Sequence, residues 1–178
     1  MENHLDINYN DCNDDHGSVV KMFQHTYEAD KLTKEVLPET AGVYCWIDKA
    51  TKGIVYVGSA TGNKGLRNRI WHQHLNPNYL ESRADKFTRY DLFQINHPIY
   101  INNKVAIDKS TFRKSVARRY LLKAGEESVN YILEHYLLSF EPYKDPEQAL
   151  LDEKSFIARL VPAYQNHIAS GVIDVHGM

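Results

Sequence analysis

The sequence predicts a mixed α/β (α+β) fold: a small antiparallel sheet of about three strands flanked by helices, with a basic helical and hairpin element inserted into it. Three observations carry this expectation. Two β-branched and aromatic runs, Gly42 to Ile47 and Ile54 to Val57, are separated by a short polar loop ending in Gly53, the pattern of an antiparallel pair. Several later stretches repeat apolar residues at helical spacing. A length of 178 residues with 43% hydrophobic content supports one sizeable core rather than two large domains.

The elements follow in order. Residues 1–17 are polar and acidic and read as a lead-in. Residues 1–40 are taken as an acidic N-terminal extension and 41–178 as a single domain. Val19 to Tyr27 suits a short helix or strand, and Pro38-Glu39-Thr40 separates it from the first strand. After the strand pair, Gly58 to Gly65 is a loop of small residues. Leu66 to Leu75 then reads as a helix with Leu66, Arg69 and Ile70 on one side. Ile99 to Ile107 fits a hairpin turning at Asn102-Asn103. Ser110 can cap a helix through Phe112, Val116 and Leu121, with Gly125 as its stop. Glu126 to Phe140 is expected to be one amphipathic helix, because Val129, Ile132, Leu133, Tyr136, Leu137 and Phe140 recur at helical spacing. The last helix has Asp145 as N-cap, Pro146 at its first position and Gln148 completing a capping box. Its apolar face is Ala149, Leu150, Phe156, Ile157 and Leu160, and Pro162 ends it.

Net charge is −2, yet its distribution is uneven. Residues 1–40 sum to −6, residues 41–125 to +10 and residues 126–178 to −6. Phosphate backbones are held by local positive charge, so the middle block points to nucleic acid where the total does not. A solvated basic face is the alternative. No stretch has the length of apolar sequence that a membrane span needs, and the N-terminus carries no secretory pattern. Cys12 and Cys45 make no disulfide framework or metal-ligand pair. A reducing cytoplasm and no membrane partner are therefore expected.

Glu153 breaks the pattern of the last helix. It lies four residues after Ala149 and four before Ile157, so its carboxylate points with the apolar stripe. An unpaired buried carboxylate is costly, so it needs a cation, a metal ion or hydrogen-bond donors. Arg69 holds the same position relative to the apolar residues of its own helix. A carboxylate and a guanidinium facing inward beside strand tyrosines suit a phosphate-cleaving pocket.

Gly42-Val43-Tyr44 followed by Tyr56-Val57-Gly58 resembles the paired signature of the GIY-YIG nuclease family. Leu66-Arg67-Asn68-Arg69-Ile70 resembles the family's next helix, whose second Arg is catalytic. Ala149-Leu150-Leu151-Asp152-Glu153, followed by Phe156-Ile157, Pro162 and Tyr164, resembles the helix with the metal-binding Glu. The resemblance runs from about Gly42 to Ile168, around an unfamiliar middle. It implies an endonuclease that hydrolyses DNA with one divalent cation, Mg2+ (or Mn2+), held by Glu153 and otherwise by water. Arg69 would hold a phosphate oxygen. Tyr44 would help to activate the attacking water, with Tyr56 orienting that water or sharing the role.

At the position where the family often has a His, four after the Arg, stands Gln73, so the flanking His72 and His74 are both candidates. Where it often has Asn, Gln165 is in register and Asn166 one residue late; Asn166 is the candidate. The long insertion, at about 77–140, holds Arg83, Lys86, Arg89, Lys104, Lys109, Arg113, Lys114, Arg118, Arg119 and Lys123. It reads as a DNA-contacting element; its Arg113, Lys114, Arg118 and Arg119, with Lys64 and Arg67 ahead of it, are the expected DNA contacts. The chain has none of the long DNA-binding tail, further repair domains or Cys-rich zinc module of other family branches. It is closer to the family's restriction endonucleases, which commonly act as dimers or larger assemblies, so a homodimer is the simplest assembly implied. The alternative is a catalytically inactive nucleic-acid-binding module on the same scaffold.

Overall fold

A computed structural model describes residues 25–82 and 91–160, together with Phe23, Pro162 and Tyr164. The lead-in over 1–17, the basic residues Arg83, Lys86 and Arg89, and the candidates Gln165 and Asn166 lie outside the described residues. The fold is α+β, as expected. A four-stranded antiparallel sheet contains β1 (His25–Glu28), β2 (Ala41–Asp48), β3 (Ile54–Ala60) and β7 (Tyr136–Tyr143) in the order β1-β7-β2-β3. A second antiparallel sheet joins β4 (Leu80–Ser82), β6 (Lys104–Asp108) and β5 (Ile99–Ile101) in the order β4-β6-β5. Among the described residues five α-helices complete it: α1 (Gly65–Arg67), α2 (Leu92–Asn96), α3 (Thr111–Tyr120), α4 (Glu126–His135) and α5 (Pro146–Leu160).

The hairpin β2–β3 forms where its residue types predict it, with Trp46 opposite Tyr56 and Tyr44 opposite Gly58. The Asp48 carboxylate closes the connecting turn by accepting from the backbone N–H groups of Ala50, at 2.9 Å, and Thr51, at 2.8 Å. The Asn102-Asn103 hairpin also forms. Both residues take left-handed backbone (φ 50° and 63°), as a two-residue primed turn requires.

Alternation along the strands sorts the core into two layers. Tyr44, Trp46, Tyr56, Tyr136, Leu138 and Phe140 share one face with Leu66, Ile70, Phe112, Val116 and Ile132. Val43, Cys45, Ile47, Val57 and Leu137 face the other way, against Ala149 and Phe156 of α5. The sheet is thus covered on one face by α5. On the other it is covered by the α1 segment, α3 and α4.

The structure corrects several expectations. The sheet has four strands rather than about three, because Glu126 to Phe140 is not one helix: α4 ends at His135 and β7 begins at Tyr136. Tyr136, Leu137 and Phe140 matched helical spacing, but β7 lies between β1 and β2, where the Tyr136–Phe140 run is buried on both faces. The insertion therefore does not extend to 140. The helix begun by Ser110 stops at Tyr120, with Leu121 in left-handed backbone, and Gly125 instead precedes α4. At α5, Asp145 caps by accepting from Glu147 N at 2.9 Å, while Gln148 donates to Asp152 rather than closing a capping box, and Leu150 is exposed. The division at residue 40 does not follow the packing either. β1 pairs with β7, and Phe23, Ala29, Leu32 and Leu37 are buried in the two core clusters.

The α1 segment is fixed at its start by the loop before β2. Leu66 N donates to Thr40 O at 2.9 Å and Arg67 N to Pro38 O at 3.0 Å, which satisfies helix-terminal donors. Gly65 makes this possible. Its φ is +43°, and a Cβ there would run into the Thr40 carbonyl. Replacing it should therefore disturb both the backbone conformation and the Thr40 contact. Gly65→Ala is expected to destabilise the protein by about 2–3 kcal/mol in urea denaturation; an unchanged midpoint would contradict this.

Candidate functional site

The candidate site forms where β2 and β3 cross their glycine. Tyr44 lies opposite Gly58, and any Cβ at Gly58 would collide with the Tyr44 ring and hydroxyl. The missing side chain lets the phenol lie across the edge strand toward the helix that follows. Arg69 Nε donates to the Tyr44 hydroxyl oxygen at 3.2 Å, and Arg69 Nη1 donates to Gln73 Oε1 at 2.8 Å. Tyr44 and Tyr56 stack at 6.3 Å between ring centroids.

The helix carrying Arg69 changes type after Arg67, and Asn68–His74 is π-helical. Its i to i+5 pattern is seen where Leu75 N donates to Ile70 O at 2.9 Å. The wider turn brings residue i+5 round to Arg69's side, and that residue is His74. His74 is buried, its Nε2 lies 2.6 Å from the Tyr44 hydroxyl and its Nδ1 lies 2.7 Å from Ser110 Oγ. Of the two candidate histidines, His74 therefore joins the tyrosine. His72 is half-buried and takes no part in this chain of hydrogen bonds. Gln73, one residue earlier, holds Arg69 in place.

Burial, and then the Arg69 and Arg113 charges, push the His74 pKa well below 6.5, so the ring is neutral. Burial raises the Tyr44 pKa, Tyr56 adds to the rise, and Arg69 opposes it. The Tyr56 phenol is likewise raised by burial and lowered by Arg69. With both groups neutral, one ring nitrogen carries the proton: either Tyr44 O–H donates to Nε2 and Nδ1–H to Ser110 Oγ, or Ser110 O–H donates to Nδ1 and Nε2–H to the Tyr44 oxygen.

Glu153 lies on the opposite face of the sheet, on α5, where it meets Ser59 of β3. Ser59 Oγ donates to Glu153 Oε2 at 2.5 Å, and the carboxylate raises the pKa of both Tyr44 and Tyr56. Arg69 and Glu153 thus stand on opposite faces of the sheet at β3, which is its edge strand. The inward-facing carboxylate finds its expected hydrogen-bond donor in Ser59, a residue the sequence reading passed over. Strand alternation was the available signal: Ser59 falls on the same face as Val57 and puts a hydroxyl where α5 packs. Glu153 Oε1 has no protein partner among the described residues. No group of three or more His, Cys, Asp or Glu side chains suited to a metal ion occurs among the described residues.

The expected DNA contacts divide. Arg113 is wholly buried and cannot meet a surface ligand. It pairs with the buried Asp108 and donates to the carbonyls of Asn76 and Gln73, the latter at 3.2 Å. Asp108 also accepts from Gly125 N at 3.0 Å and Gln94 Nε2 at 2.8 Å. The reversal has a simple cause: Arg113 follows Phe112 on the inner side of α3, where orphan carbonyls at the end of the π-helical segment require donors. Arg67 is tied to Glu39 at 2.8 Å and to Leu37 O, and Lys114 to Glu81 at 2.7 Å. Arg118 is half-buried, while Arg119 is exposed beside Tyr120 and Tyr164, and Lys64 is exposed ahead of α1. Among the described residues no helix is long and apolar enough to cross a membrane. Compared with known protein families and with curated proteins, the chain finds no match.

Two measurements test this geometry. Removing Arg113 leaves the Asp108 carboxylate buried without its cation, so Arg113→Ala should lose about 3–5 kcal/mol of stability; a loss under 1 kcal/mol would contradict the burial of the pair. His74 bears on acid stability. Below pH 6.5 the unfolded chain takes up a proton that the folded His74 refuses, so this residue makes stability fall with falling pH, by up to about 1.4 kcal/mol per unit. His74→Gln removes that contribution. The stability difference between wild type and variant should shift in the variant's favour from about pH 7.5 to about pH 5.5; parallel curves would refute a neutral buried ring.

Proposed function

We propose that the protein is a metal-dependent endonuclease of the GIY-YIG type that hydrolyses DNA phosphodiester bonds. The observation that carries this reading is that Arg69 is hydrogen-bonded to Tyr44 beside Gly58 on one face of the edge strand β3, while Glu153 is held by Ser59 of the same strand on the other. A purely structural core has no need of a guanidinium and a carboxylate placed this way.

Glu153 suits one hydrated divalent cation. Its Oε2 is oriented by Ser59, its Oε1 is unengaged among the described residues, and magnesium keeps most of its water, so a single carboxylate suffices. Such a cation, when bound, supplies Lewis-acid stabilisation of the leaving oxygen. The protein's own residues do the rest. Arg69, held by Gln73 and Tyr44, presents a fixed guanidinium to a phosphate oxygen as negative charge builds on it.

Tyr44 cannot act alone as base, since burial holds its proton. Its hydroxyl is held between Arg69 Nε and His74 Nε2, which fixes the phenol beside Tyr56 and keeps its proton in place. Tyr56, beside Tyr44 and under the same two charges, orients the water. Asn166 belongs to this proposal by sequence position alone. A restriction-type enzyme working as a homodimer is the form of the activity that the sequence favours, and a DNA-binding module without catalysis is the second reading.

The experiment is supercoiled plasmid incubated with Mg2+ or Mn2+. Wild type should nick or linearise it, chelation should stop the reaction, and Arg69→Ala and Glu153→Ala should each lower the rate by at least about 10²-fold while DNA binding persists. An intact plasmid under every condition, with DNA still bound, would favour the non-catalytic module.

A further inference from the structure

Lys109 stands out among the cations near the site. The chain there alternates inward and outward. Asp108 is buried in its pair with Arg113, and Ser110 is buried against His74 at 2.7 Å. Lys109, between them, is exposed. Its backbone is therefore clamped one residue from the candidate site on either side. Its ammonium sits 5.2 Å from the centroid of the Tyr79 ring, and its backbone N–H donates to Tyr79 O at 3.3 Å. Tyr79 follows the π-helical segment, is held by its own N–H to Asn76 O at 3.0 Å, and its phenol acts electrostatically on Arg69 together with those of Tyr44 and Tyr56. The charges of Arg67, Lys114 and Arg113 are spent on carboxylates. Among the described residues Lys109 has no carboxylate partner; its only anchor is an aromatic face, which orients a cation without neutralising it.

We infer that Lys109, braced on Tyr79, is a binding site for a backbone phosphate of the nucleic acid next to the one Arg69 holds. This rests on the endonuclease reading and deepens it. An exposed, preorientated ammonium in addition to a phosphate-holding guanidinium offers a second cation to a polyanionic strand, whereas one mononucleotide phosphate would need Arg69 alone. Lys109 positions the strand and touches no reacting atom.

The test uses full-length protein carrying Glu153→Ala, so that DNA is bound and not cut, and measures duplex affinity by fluorescence anisotropy across a salt series. Adding Lys109→Ala should weaken binding several-fold and reduce the magnitude of the slope of log K against log salt by about 0.9, the release from one phosphate. Lys109→Arg should restore both. Tyr79→Phe should keep them, because the ring suffices, and Tyr79→Ala should lose part of them. Lys52→Ala, at the distant β2–β3 turn, removes the same charge and should leave the slope unchanged. In the cleaving protein, Lys109→Ala should raise KM with little change in kcat. An unchanged slope in a protein that binds DNA overturns the Lys109 site alone. A parent protein that binds no DNA overturns the nuclease reading, and this site with it.

Discussion

The hydroxyl of Tyr44 is the point on which the candidate site depends. It is buried, yet it has two polar partners, Arg69 Nε at 3.2 Å and His74 Nε2 at 2.6 Å, and it reaches them only because Gly58 offers no side chain in its path. A buried hydroxyl left unbonded would cost about 1–3 kcal/mol. The three residues are therefore mutually required: the tyrosine needs partners, the arginine needs aim, and the neutral histidine needs a donor.

The partners are presented by an unusual piece of backbone. A regular α-helix through residues 68–74 would carry residue i+4 to Arg69's side. The π-helical segment brings His74 to the Tyr44 hydroxyl as well, while Gln73 holds the guanidinium. The end of that segment is fixed from the insertion. Arg113, paired with Asp108, donates to the carbonyls of Gln73 and Asn76, and Ser110 meets His74. A buried ion pair contributes little net stability when its desolvation is counted, and its geometric specificity is the better account of it here. The insertion thus braces the helix of the candidate site, while the charges left outside it, Lys109 and Arg119 among them, remain available to a polyanion.

Much of the fold was legible locally. The β2–β3 hairpin, the Asn102-Asn103 turn, the Ser110 and Asp145 caps, and the inward face of Glu153 each follow from residues a few positions apart. Arg69 and Glu153 were readable as candidates because a charged side chain on an apolar stripe is anomalous wherever it occurs; Tyr44 and Tyr56 were candidates only through the family resemblance. Tyr136 to Phe140 was not readable. Its apolar spacing satisfies helix and strand alike, and the choice is made by β1 and β2, whose backbone groups it pairs on both sides.

Residue patterns a few positions long set the short-range elements and the chemical character of their faces, since hydrophobic spacing and turn chemistry act locally. Long-range packing chose which distant groups become partners: Ser59 for Glu153, Asp108 and two helix-end carbonyls for Arg113, and His74 rather than His72 for Tyr44. Desolvation enforces these pairings. A polar group must find its complement at the place where packing buries it, and that place is set by the whole chain at once.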